Sequence, residues 1–233
     1  MSDPIAERIL GEGEMEIVGR LPNSSNRTFL VRCTLQNEVM AAVYKPVRGE
    51  RPLWDFPPGL HRREAAAYEL SRALGWDIVP ETRLRGDAPL GPGSLQRFVD
   101  ADFEQHYLTL LDDASRRPDL LAIAAFDVAA NNADRKSGHC LFAEGRVWAV
   151  DNGLCFHVAP KLRTVIWDFA GELLPEQMRE DLARFSREPP ESFVKLLEPQ
   201  EVAASCRRAS ALADVGALPT PDPATDRLPW PPV

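Results

Sequence analysis

Between Leu120 and Cys140 the chain passes abruptly from apolar to dense polar sequence, and that junction limits what it can fold into. Leu120–Ala130 reads as a buried helix that runs into Asn131, Asn132, Asp134, Arg135, Lys136 and His139. Polar groups between a buried helix and a strand lose hydration unless they face one another or a ligand. A second carboxylate follows: Asp151 stands directly after an apolar run, with Gly153 permitting a sharp turn. If Leu141–Phe142 and Val147–Val150 are short strands, Asp134 and Asp151 lie at the ends of one hairpin and could share a polar pocket. Oxygen-rich pockets of this kind bind hard cations, often together with substrate phosphates. Turn chemistry alone explains either motif taken singly.

The first half reads as strands over Met15–Arg20, Thr28–Cys33 and Val39–Lys45, where β-branched residues are separated by Asn, Ser and Gly. A helix is expected over Leu60–Leu74, then short strands at Glu81–Leu84 and Leu95–Val99. Residues 174–214 read as helical throughout. A β-rich front and a helical back give an α+β fold of two compact lobes, 1–100 and 101–215, with the seam near Asp100–Asp102. Residues 1–13 read as a lead-in. The proline-rich 216–233 reads as an extended tail, whose Trp230 either docks back or hangs free.

Two charges stand out in the front half. Glu64 falls on one helical stripe with Leu60, Ala67, Ser71 and Leu74, where burial calls for a cationic partner. Lys45 is the candidate, at the end of a strand whose alternate residues Val39, Ala41 and Val43 offer an apolar floor. A Glu64 that simply reaches solvent at the edge of the stripe is the plain alternative. Trp54 and Trp167 read as packing anchors. Lys161 and Arg163 could meet an anionic substrate or be merely solvated, and His157 is either a polar group at the pocket rim or a turn residue.

Composition excludes several classes. With 44% hydrophobic and 27% charged residues in 233, the chain can bury a core and is neither disordered nor collagenous. A net charge of −8 argues against wrapping nucleic acid. The apolar run Leu120–Phe126 is too short to span a bilayer, so no stable membrane insertion is expected. Four cysteines without CxxC spacing, and no signal peptide, point to reduced thiols in a cytoplasmic protein.

Taken together, these segments resemble the phosphatidylinositol 3-/4-kinase superfamily, particularly the type II phosphatidylinositol 4-kinases. FDVAANNADRKSGHC (126–140) is similar to that family's FDYIIRNTDRGNDNW, sharing the letters of Phe126, Asp127, Asn132, Asp134 and Arg135. VDNGLCF (150–156) parallels IDNGLAF, YKP (44–46) parallels FKP, EAAAY (64–68) parallels EAGAY, and VPET (79–82) parallels VPKT. The resemblance covers about residues 15–160 and extends to a small actinobacterial, hence bacterial, family of kinase-like proteins.

The resemblance implies an ATP-dependent phosphotransferase with a compact, bilobal protein-kinase-like fold. Lys45 would bind the α/β-phosphates of ATP or another nucleoside triphosphate and be held by Glu64. Asp134 would orient or deprotonate the acceptor hydroxyl, and Asp151 would hold the metal. Backbone groups near Phe98 and Val99 would meet adenine. A polar turn at Ser24, Ser25 and Asn26 replaces the usual glycine-rich loop and can still offer N–H groups to phosphate. His139 stands where the family has a metal-binding asparagine, which suits Mn²⁺ better than Mg²⁺. An imidazole ligand must be unprotonated, so metal binding is expected to weaken as pH falls through about 6–7. The acceptor could be a protein, a lipid head group or a small molecule, with lipid disfavoured by the acidic chain. The short C-terminal half leaves a second reading open: a nucleotide-binding pseudokinase or regulator with only slow ATP hydrolysis or autophosphorylation.

Overall fold

The computed structural model describes residues 3–22, 26–221 and 228–232. Its first half holds helix α1 (Pro4–Glu12), strands β1 (Glu14–Arg20), β2 (Phe29–Leu35) and β3 (Glu38–Pro46), helix α2 (Leu60–Leu74), and strands β4 (Thr82–Arg85) and β5 (Gly93–Arg97). The five strands form one antiparallel sheet in the order β1-β2-β3-β5-β4. Alternation decides its faces. Val31 and Cys33 of β2, Ala42 and Tyr44 of β3, and Leu95 of β5 cluster with Ile9 and Leu10 of α1. Residues 4–12 are therefore not a lead-in. The Asp3 side chain caps a helix by accepting from Ile5 N–H at 2.9 Å, and Ala6, Ile9 and Leu10 seal one face of the sheet.

Lys45, one residue after Tyr44, points to the opposite face, where it meets Glu64 of α2. Val39 and Ala41 do not make an apolar floor beside it, because both are exposed. Helix α2 is buried over most of its length, and Gly75 ends it in a left-handed turn. Trp54 is not a packing anchor either, being 96% exposed on the loop before α2.

The second half comprises α3 (Tyr107–Leu110), α4 (Arg117–Ala130), the hairpin β6 (Cys140–Ala143) and β7 (Arg146–Ala149), and helices α5 (Glu176–Arg187), α6 (Glu191–Val194) and α7 (Pro199–Val215). The stretch 174–214, expected to be helical throughout, is three helices with breaks between them. Pro189 and Pro190 interrupt it after α5, and Pro199 starts α7, where a missing N–H does no harm. Phe156, Phe185 and Phe193 meet edge to face in the core, with centroids 5.2–5.4 Å apart. The tail is extended but anchored. Leu218 is buried, its carbonyl accepts from Gly171 N–H at 3.0 Å, and Pro232 O accepts from Ser137 N–H at 2.9 Å, while Trp230 stays exposed. Among the described residues no helix is long and apolar enough to cross a membrane.

Candidate active site

A cleft of about 250 Å³ separates the sheet and α2 from the loops around Asp134 and Asp151. Lys45, Glu64, Asp134, Asp151 and Asn26 all line it. The Lys45 ammonium pairs with Glu64 Oε1 and lies 2.7 Å from Asp151 Oδ1. Burial works against its charge, but Asp151 and Glu64 outweigh that and hold its pKa well above the ordinary lysine value. Glu64 is 3% exposed, and its other oxygen accepts from Asn152 N–H at 3.0 Å. The stripe on α2 therefore did mark a buried carboxylate with a cationic partner.

Asp151 sits at φ 56°, a left-handed conformation uncommon for a residue with a side chain. The turn it begins lies against α2, where a Cβ on Gly153 would come within 3.2 Å of Glu64 Oε1, so glycine gives the turn its close approach. The nearby Lys45 ammonium holds the carboxyl of the half-exposed Asp151 well below its usual range. Asp134 differs. Burial, together with the charge of Asp151 and against the pull of Lys136 and Arg135, pushes its pKa up to about 6.

Behind these carboxylates lies a dry polar frame. Arg135 and Asp127, both 0% exposed, pair at 3.0 Å, and the same guanidinium donates to Asn152 Oδ1 at 2.6 Å and Val150 O at 2.7 Å. Asn132 Nδ2 donates to Asp127 Oδ1 at 2.9 Å, and its Oδ1 accepts from Asp134 N–H at 3.0 Å. Asn131 ends α4 at φ 53° and donates to the carbonyls of His157 and Ala159. The polar residues of 131–135 thus face one another and position the two aspartates, as their desolvation requires.

His139 Nε2 lies 3.5 Å from Asp151 Oδ2, while its Nδ1 faces Lys136 N–H at 3.4 Å. Burial drives its pKa down to about 4 against the raising effect of Asp151, so the imidazole stays neutral far below the expected window of 6–7. Among the described residues no three ligating side chains converge tightly enough to hold a metal by themselves. The donor set nonetheless fits a divalent cation whose shell is completed by phosphate. Two carboxylates line one space, one of them has its ionisation opposed by the other, and a neutral imidazole stands beside them.

Other expected residues are placed differently. Phe98 N–H donates to Ala41 O at 3.0 Å and Val99 O accepts from Ala101 N–H at 3.1 Å, and neither residue lines the cleft. Ser24 and Ser25 lie outside the described residues. Lys161 and Arg163 are both paired with Asp55, at 3.0 and 3.4 Å, and neither lines the cleft. His157 is a turn residue whose Nδ1 accepts from Ala159 N–H at 3.0 Å. Sequence reasoning missed His61 and Glu50, which line the cleft as a hydrogen-bonded pair. A glutamate ten residues before a helix gives no periodic signal.

No family model matches the chain. Among solved structures it is similar to the Golgi casein kinase with Mn/ADP bound, at a TM-score of 0.57 and 15% identity, covering 95% of this chain and 80% of that one. Another crystal structure of the Golgi casein kinase gives 0.56 at 16% identity, covering 90% and 74%. Hydra Fam20 with sugar gives 0.52 at 13%, covering 92% and 89%. These likenesses establish an α+β kinase-like fold. In sequence the chain is 38% identical to Protein Rv2133c of Mycobacterium tuberculosis over 262 aligned positions, covering 96% of this chain and 94% of that protein. The chain belongs to the same family as Protein Rv2133c.

Proposed function

We propose that this protein is an ATP-dependent phosphotransferase that moves the terminal phosphoryl group of a nucleotide to a hydroxyl acceptor with a divalent metal. The observation that carries this is one cationic group shared by two carboxylates, Lys45 between Glu64 and Asp151, with Asp134 facing the same cleft. That arrangement suits an ammonium bound to phosphates and a carboxylate free to turn to a metal. Asp151 and His139 would hold the metal, which supplies charge neutralisation to the phosphates when bound. Its identity would be Mn²⁺ or Mg²⁺, and the Golgi casein kinase solved with Mn/ADP supports the former. Asp134, its pKa raised to about 6, is mostly ionised at neutral pH and so able to take the proton of an acceptor hydroxyl. Asn26, at the end of the polar turn, would lie by the phosphates. The particular resemblance to type II phosphatidylinositol 4-kinases belongs to this reading as well.

The second reading, nucleotide binding with little transfer, is favoured by one feature: both Asp151 oxygens already face protein groups. The decisive experiment follows label from [γ-³²P]ATP with Mn²⁺ or Mg²⁺ into protein, small hydroxyl compounds and water. Transfer that Asp134→Asn abolishes supports the phosphotransferase. Binding of ATP without any transfer, under either metal, leaves the regulatory reading.

A further inference from the structure

One part of the cleft wall carries charge with no ion-pair partner among the described residues. Arg27 and Arg51 both line the cleft and both are exposed, yet neither guanidinium has an ion-pair partner among the described residues. In a chain with 35 acidic residues and 27 basic ones, such partners are plentiful. Lys161 and Arg163, by contrast, have theirs in Asp55.

Two hydrogen bonds tie together the segments that carry the two arginines. Arg27 N–H donates to Gly49 O at 3.3 Å, and Arg51 N–H donates to Asn26 Oδ1 at 3.0 Å. A Cβ on Gly49 would come within 2.8 Å of Arg27 O, so only glycine lets the segments lie this close. His61, in the first turn of α2, lines the same cleft. Glu50 Oε1 accepts from His61 N–H at 2.8 Å and stands 2.7 Å from Nδ1, and Oε2 accepts from Gly59 N–H at 3.1 Å. Burial opposes the charge on Glu50, but these hydrogen bonds prevail and keep its carboxyl below the ordinary value. Nδ1 faces this carboxylate, so Nε2 is the ring nitrogen left for a ligand.

We infer that Arg27, Arg51 and His61 form an anion subsite at the mouth of the cleft, built to hold a phosphate group beyond those beside Lys45. Arginine forks match phosphate oxygens, and Nε2 can hydrogen-bond either an ionised or a protonated one. The phosphate comes either from the terminal end of the nucleotide or from an acceptor that is itself a phosphorylated hydroxyl compound. The inference rests on the nucleotide reading above.

The test is calorimetric titration of inorganic phosphate into the full-length protein saturated with Mn–ADP. Wild type is compared with Arg27→Gln/Arg51→Gln and with His61→Gln. Phosphate binding falls roughly tenfold or more in both variants, while Mn–ADP affinity stays within about twofold. If ATP affinity falls alongside, the subsite serves the nucleotide's terminal phosphate. If ATP affinity is unchanged, it serves a phosphate on the acceptor. Equal phosphate binding by the variants, or none by the wild-type ADP complex, overturns the inference. A wild type that does not bind Mn–ADP overturns the nucleotide reading instead, and the same titration without ADP then decides the subsite.

Discussion

Lys45 fixes the electrostatics of the cleft, because among the described residues its ammonium is the cation paired with a Glu64 side chain 3% exposed. Removing one partner of such a pair leaves the other charge buried, whereas removing both is tolerated. Lys45→Met is expected to lower unfolding free energy by about 3 kcal/mol. Lys45→Met/Glu64→Gln should recover most of that loss, as read by urea denaturation. Asp134 behaves in the opposite sense. Its pKa is raised to about 6 in the folded protein, so folding favours its protonated form. The associated stability is fully present below pH 4 and is lost as pH rises through 6. Asp134→Asn should therefore melt with wild type near pH 4 and above it at pH 7.5, by roughly 2–4 °C for about 1 kcal/mol. A constant difference across that range would contradict the shift. The Lys45–Glu64 pair was legible in the sequence, because burial of a stripe forces a partner on a carboxylate. His139 was legible as a neighbour of Asp151 but not in its titration, which depends on how completely the loops bury it.

At the scale of elements, the sheet and α2 were legible because period-2 and 3.6-residue patterns report burial directly. Helix α1 was missed, although Ala6, Ile9 and Leu10 sit at helical spacing, because nine residues rich in charge look like an unattached end. Its packing is substantial: Leu10 is 0% exposed against Val31, Cys33 and Tyr44. Leu10→Ala should cost about 3 kcal/mol in denaturant unfolding. A change under about 0.5 kcal/mol would show that α1 is dispensable to the sheet. The breaks within 174–214 were marked by prolines, but the hydrophobic pattern continues across them, since all three helices feed one core.

For the whole molecule, contacts between the two halves hold the walls of the cleft together. Lys45 reaches Asp151, Glu64 accepts from Asn152, Arg63 donates to Cys155 O and Glu201, and Arg97 joins Glu81 to Glu144. No single stretch of sequence announces such ties. They emerge only when a strand, a helix and two loops are brought together, which is why His61, Arg27 and Arg51 drew no notice as a group. Calorimetric binding of Mn–ATP to wild type and Asp151→Asn tests the nucleotide site most directly, because that substitution removes a charge without changing shape. Wild type should bind one nucleotide per chain, and the variant, folded as judged by an unchanged circular dichroism spectrum, should bind at least about tenfold more weakly. Equal affinity in the two proteins, or no binding by either, would contradict it.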